Sequence, residues 1–191
     1  SISDNSSVAI AVNDKTRPVP HKYLLPPLLS KLLKLGVPQE KIKFYIATGT
    51  HIPMQPEEFS TILASDILAE YHVESHDCDN QDILLFLGNT PVGTPVWANK
   101  SFFNSDFKIV IGNIEPHHIM GFSGGHKSAS IGLTGRQTIN RNHSLLLDDR
   151  SRLGAYIDNP MRQDVEEIGK LIGVHFAFNE FLNDIKEIVK A

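Results

Sequence analysis

Phe107-Lys108-Ile109-Val110-Ile111-Gly112-Asn113-Ile114 runs directly into Glu115-Pro116-His117-His118-Ile119-Met120-Gly121-Phe122-Ser123-Gly124-Gly125-His126-Lys127. The first half is an unbroken apolar, β-branched run of the kind that lies buried on both faces of a parallel sheet. The second half carries the opposite chemistry. Together with His143 it holds four of the chain's nine histidines, namely His117, His118, His126 and His143. Imidazoles offer proton or metal chemistry, and Ser123-Gly124-Gly125 offers a backbone that can approach an anion beside Lys127. Any one of these histidines also reads as a solvated loop residue; the cluster favours a site.

Working outward, Val8-Ala9-Ile10-Ala11-Val12 is a further apolar run of the buried kind, Ile42-Lys43-Phe44-Tyr45-Ile46-Ala47 reads as the second strand, and Val174 to Leu182 returns as a β run. Helical spacing separates them. Tyr23 to Leu35 carries leucines on a helical period, with Pro26 and Pro27 expected near its first turn and Gly36 as its stop. Pro56 to Tyr71 predicts one helix with acids in its first turn, and Pro160 to Ile172 an amphipathic helix capped by Asn159. Ile139 to Leu147 is expected to be helical and to carry His143 back towards the site. His72 to Ser75 reads as a short edge strand. Gly88 to Pro95 reads as a turn-rich connection to a strand around Val96-Trp97-Ala98, with Trp97 in the core. The alternation predicts an α/β fold, an open doubly wound and mostly parallel Rossmann-like sheet with helices on both faces.

In such a sheet, ligands bind beyond the carboxyl ends of the strands. Asn13-Asp14-Lys15-Thr16-Arg17-Pro18-Val19-Pro20 follows the first strand and Thr48-Gly49-Thr50-His51 follows the second, so Asp14, Arg17, His51 and His117 are expected on one rim. An Asp/Arg turn pair and an exposed His51 are the competing structural readings. His76-Asp77-Cys78-Asp79 lacks a second half with metal spacing and reads mainly as a loop, with Asp77 able to orient a rim histidine.

With 191 residues, 41% hydrophobic and 21% charged, the chain suits one globular domain. A formal charge of -4 gives no electrostatic footprint for nucleic acid or an anionic membrane. No apolar run reaches the length of a membrane span, and lone Cys78 cannot form an internal disulfide, which points to a reducing cytoplasm. The start without methionine and the break at Lys186 to Ala191 in mid-pattern suggest an excised domain.

Several linked motifs occur in order: Asp14-Lys15-Thr16-Arg17-Pro18-Val19-Pro20, Ala47-Thr48-Gly49-Thr50-His51, Ser75-His76-Asp77, Gly93-Thr94-Pro95-Val96, Glu115-Pro116-His117, Gly121 to Ser128, and Asn142-His143. On these the chain resembles the N-terminal domain of the nickel-dependent lactate racemase family. The resemblance implies a nickel pincer nucleotide (nickel pyridinium-3,5-bisthiocarboxylic acid mononucleotide) tethered to Lys127, with His143 as nickel ligand and His51 and His117 as the acid/base pair. It implies that Arg17 acts near substrate or cofactor as part of the catalytic set, and that Asp14, Ser123, Gly124 and Gly125 contribute to cofactor binding. Two positions depart from the family pattern: Ile52, where an arginine commonly follows the histidine, and Ser130-Ile131-Gly132, where a proline commonly precedes the glycine.

The implied reaction is racemisation or epimerisation of a small 2-hydroxy carboxylate. The C2 hydrogen is a very weak acid, so reversible hydride transfer through a planar 2-keto acid avoids a poorly stabilised carbanion. Soft pincer sulfurs with one imidazole suit square-planar nickel. The implied partners are a C-terminal domain of the same enzyme and cofactor-synthesis proteins. Two other readings remain open on the residues alone. One is a non-catalytic nucleotide or phosphate-binding module built on Ser123-Gly124-Gly125 and Lys127; the other is a zinc hydrolase using the loop histidines. The chain has neither a Walker Gly-Lys-Ser/Thr context nor His-Glu-x-x-His.

Overall fold

A computed structural model describes residues 2–17, 19–185 and 187–191. Ser1, Pro18 and Lys186, which fall within stretches read above, lie outside the described residues. Strands β1 (Val8–Asn13), β2 (Ile42–Ala47) and β3 (His72–Ser75) form one side of the main sheet, followed in the chain by the antiparallel hairpin β4 (Leu84–Asn89) and β5 (Pro95–Asn99). Strand β6 (Phe107–Asn113) returns to the other side of β1 and leads into the small hairpin β7 (Pro116–His117) and β8 (Gly121–Phe122). Strands β9 (Phe176–Leu182) and β10 (Ile188–Lys190) complete the order β10-β9-β6-β1-β2-β3, parallel except for β10.

Both faces of the sheet are covered. Alternation along β1 sends Val8, Ile10 and Val12 to one face, under helix α1 (His21–Lys34) and the 56–70 segment, and Ala9 and Ala11 to the other. The second face packs against α3 (Lys100–Phe103), α4 (Lys127–Ser130) and α6 (Pro160–Ile172). The small alanines of β1 let α4 approach closely. Helix α5 (Arg136–Ser144) lies against β5 and α6. Helix α6 begins as its sequence predicts, with Pro160 in the first turn and the Asn159 side chain accepting from Arg162 N–H, and it ends at Gly173 with φ +75°.

Two elements differ from expectation. The 56–71 stretch is a 3-10 turn, Pro56–Thr61, followed by a separate short helix α2 (Ser65–Glu70). Phe59, Leu63 and Ile67 bury themselves at helical spacing all the same, so the periodicity was that of the core contact and not of a continuous helix. Helix α1 starts at His21, which places Pro26 and Pro27 inside it, both exposed, on the side where unpaired carbonyls meet water. Trp97 is half-buried and stacks obliquely on Phe86 of the hairpin, ring centroids 5.0 Å apart.

Candidate functional site

The chain runs from β1 to β2 and β3 on one side, then crosses to β6 and β9 on the other, so the switch in strand order falls at β1 and β6. A cleft opens beyond the carboxyl ends of β1, β2 and β6, where such folds place ligands. Asp14, Arg17, His51, His117, Ser123, Gly124, Lys127 and His143 all line it, joined by Asn113 and Glu115.

At the end of β1, Asp14 turns inward and is only 3% exposed. Its Oδ1 accepts from the Thr16 backbone N–H at 3.0 Å and from Thr16 Oγ1 at 2.6 Å, a short polar turn that fixes the carboxylate. Its other oxygen lies 2.6 Å from His51 Nδ1, across a gap of 37 residues in sequence. His51 sits on the turn after β2, where Gly49, at φ +58°, donates its N–H to Gly132 O at 3.0 Å. The orienting carboxylate for this histidine is therefore Asp14. Asp77, a candidate for such a role, instead accepts from Asp79 N–H at 3.0 Å, and Asp79 pairs with Arg136. His76 is buried between Thr134 O and Asn99.

Beyond β6, Ser123 Oγ donates to Asn113 O at 2.6 Å and accepts from Glu115 N–H at 3.0 Å, folding the histidine stretch back over the strand end. The β7–β8 hairpin then turns tightly: Met120 N–H donates to His117 Nδ1 at 3.2 Å. Burial, followed by the charges of Lys127 and Arg17, pushes the His117 pKa down to about 4. Burial likewise leads the depression of Lys127 to about 7, with Arg17 and Arg162 adding to it and Glu115 opposing. The Lys127 backbone N–H donates to Gly124 O at 3.3 Å, but its Nζ makes no hydrogen bond or ion pair among the described residues. His143 sits on α5, with Nδ1 2.9 Å from Ile139 O; burial lowers its pKa, against the effect of that bond.

The opening cluster of four histidines separates in space. His117 and His143 face the cleft with His51, His118 is exposed, and His126 points behind the loop with Nδ1 2.8 Å from Glu166 Oε2. A second cavity opens there, lined by Gly125, His126, Tyr156, Arg162, Glu166 and Asn179. The glycine loop is held from this rear side: Gly125 N–H donates to Asn179 Oδ1 at 2.9 Å, and Arg162 Nη1 donates to Phe122 O and Gly124 O at 3.0 and 3.3 Å. Ser123 N–H goes to Glu115 O. Gly125 thus faces the rear cavity and Gly124 the cleft, with Ser123 bordering both. Arg162, Glu166 and Asn179 were missed from sequence because nothing in α6 or β9 marks them apart from ordinary helix and strand positions.

The donor set fits the implied nickel nucleotide. An unpaired lysine near neutrality can attack an activated carboxyl or thiocarboxyl group. Donation from His143 Nδ1–H to Ile139 O leaves Nε2 as the free lone pair, the usual preparation of a metal-binding imidazole. Gly124, at φ +73°, keeps the loop close to the strand end, where a Cβ would stand 2.7 Å from Ile114 Cγ1.

Fold and cleft together define an open parallel α/β domain with a lysine and three imidazoles at its topological switch point. Residues 1–154 match the family described as the lactate racemase N-terminal domain, and the chain belongs to that family. Lactate racemases of Thermoanaerobacterium thermosaccharolyticum and Lactiplantibacillus plantarum are each 30% identical to it, over 187 and 185 residues. These matches take in 97% and 96% of this chain but 44% and 43% of the relatives, so the chain spans less than half their length. The solved structure of the lactate racemase apoprotein from T. thermosaccharolyticum is similar at a TM-score of 0.90 and 29% identity, over 96% of this chain and 44% of that one. A Thermotoga maritima crystal structure shares the fold at a TM-score of 0.76 and 23% identity, over 95% of this chain and 48% of that one. Among the described residues, no helix is long and apolar enough to cross a membrane.

Proposed function

We propose that residues 1–191 are a single cofactor-bearing catalytic domain, the N-terminal part of a longer two-domain 2-hydroxy acid racemase or epimerase of the cytoplasm. The observation that carries this reading is the meeting, in one cleft, of an unpaired near-neutral Lys127, a His143 with a free Nε2, and the imidazoles of His51 and His117 from two different strand ends. The relatives' name, lactate racemase, supports a small 2-hydroxy carboxylate as substrate. Lys127 would tether the nickel pincer nucleotide after delivery by cofactor-synthesis proteins, and His143 would ligate its nickel. When bound, that group supplies a reversible hydride acceptor.

The chain's own residues supply the rest. Arg17, exposed at the cleft mouth, offers a planar fork for the substrate carboxylate. His51 and His117 exchange the hydroxyl proton from opposite sides, each serving one enantiomer. Asp14, Ser123 and Gly124 shape the floor. A purely nucleotide-binding role is disfavoured because it gives no part to the three imidazoles of His51, His117 and His143 that line the cleft. Nucleic acid and membrane partners are not part of the proposal.

Single-turnover experiments on the matured full-length enzyme test it. His51→Ala and His117→Ala should each lower full racemisation by roughly 10²–10⁴, the scale of general acid/base loss. Bound 2-keto acid should form in one variant from one enantiomer and in the other variant from its mirror image. Equal partial reactions in both variants with both enantiomers would overturn the two-base reading. His143→Ala should lose nickel before any proton-transfer defect shows.

A further inference from the structure

The two rim histidines are held by opposite kinds of partner. At His51, Nδ1 stands 2.6 Å from a carboxylate that is itself almost fully buried, so the ring must present Nδ1–H and leave Nε2 as an acceptor. At His117, Nδ1 receives the Met120 backbone N–H, which can only donate, so the neutral ring must carry its proton on Nε2. We infer that Asp14 is a positioning residue, and that the resting protein is preset asymmetrically, with His51 as the proton acceptor and His117 as the Nε2–H donor.

The cause lies in Asp14's other oxygen. Thr16 directs two donors, its N–H and its hydroxyl, at Oδ1, which leaves Oδ2 as the carboxylate oxygen that faces His51 at 2.6 Å; Thr16 Oγ1, its proton turned to Oδ1, stands further off at 3.5 Å and can only accept from the same Nδ1–H. Among the described residues, Asp14 is the carboxylate that pairs with His51, while Glu115 accepts from the Asn113 side-chain amide at 3.2 Å. A kinetic consequence rests on the racemase reading. The enantiomer whose hydroxyl meets His51 loses its proton to Nε2 without any rearrangement. For its mirror image, His117 must first move its proton and give up the Met120 bond.

The tautomers are testable in the chain alone, without nickel or activity. Long-range ¹H–¹⁵N correlation spectra of residues 1–191 should show His51 protonated at Nδ1 and His117 at Nε2. Asp14→Asn is the sharper test. Thr16's two donors require the amide oxygen at the Oδ1 position, which turns the amide NH₂ towards His51 and should invert its tautomer to Nε2–H while His117 is unchanged. Asp14→Ala should release His51 to a mixture of tautomers. Identical tautomers at both histidines, or a His51 unaltered in folded Asp14→Asn, would overturn the inference. In the matured enzyme, Asp14→Asn should slow keto-acid formation from one enantiomer by roughly 10²–10⁴, the penalty of a base held in the wrong tautomer. Equal slowing of both enantiomers would refute the asymmetry. Correct tautomers in a protein without racemase activity would instead defeat the functional proposal and leave the inference standing.

Discussion

Lys127 is the side chain whose acid/base behaviour is moved most usefully for chemistry. Burial and the neighbouring Arg17 and Arg162 bring its amine to about 7, so it is largely unprotonated at pH 8. Acylation of Lys127 by an amine-directed reagent, followed by peptide mass spectrometry, should rise to half its limiting rate near pH 7 and level off above it. A Lys127 rate that keeps climbing well above pH 8 would contradict the burial argument. The lysine itself was legible in sequence, standing after Ser-Gly-Gly-His, and so were His51, His117 and His143. The role of Asp14 was half legible. Its place on the rim followed from the strand end, but its pairing with His51 depends on the β1–β2 register, which pairs Asn13 with Ala47 and brings the two following turns side by side.

At the scale of elements, the turn after α4 is as tightly set as the histidines it supports. A Cβ on Gly132 would stand 2.4 Å from Ala47 Cβ and 2.3 Å from Ser128 O, and the carbonyl of Gly132 anchors the His51 turn through Gly49 N–H. Gly132→Ala should therefore destabilise the fold by about 1–3 kcal/mol, as overpacking does, measured by denaturant unfolding; an unchanged midpoint would show that the turn relaxes freely. Strands β1, β2 and β6 were legible because strands buried in a parallel sheet are largely apolar, β-branched or aromatic runs; β9, largely half-buried and broken by Asn179 and Glu180, was legible only from its aromatic residues. Helix α6 was legible because Asn159, Pro160 and Gly173 punctuate it. The 56–71 stretch was misread because Phe59, Leu63 and Ile67 satisfy a helical period with no glycine inside to mark the break. The inward ties of Ser123 and Gly125 were invisible for a different reason: they depend on Glu115 O and Asn179, which only tertiary folding brings close.

For the molecule as a whole, burial of neutral histidine sets an acid limit. His21, 2% exposed with Nδ1 near Ile62 O, is pushed down to about 4 by burial, whereas the unfolded chain protonates it near 6.5. The unfolded state then binds more protons between those values. The stability from neutral His21 is complete above pH 6.5 and falls as pH drops towards 4, by at most about 1.4 kcal/mol per pH unit. Comparing denaturant midpoints at pH 7 and pH 5, His21→Leu should lose less stability on acidification than the parent, and an equal loss would remove His21 as a cause. The cleft belongs to the same scale: it is formed where three strands end and is unclosed by anything in the described residues, in a chain spanning under half of its curated relatives. That is why substrate identity was not legible in either sequence or fold.

The proposed function rests most heavily on Lys127 carrying the cofactor. Its most direct test is an intact-mass spectrum, with peptide mapping, of the protein produced together with the cofactor-synthesis enzymes. Added mass confined to Lys127, and absent from Lys127→Ala, is the expected result. Nickel and nucleotide bound with no covalent adduct, or an adduct on any other lysine, would contradict it.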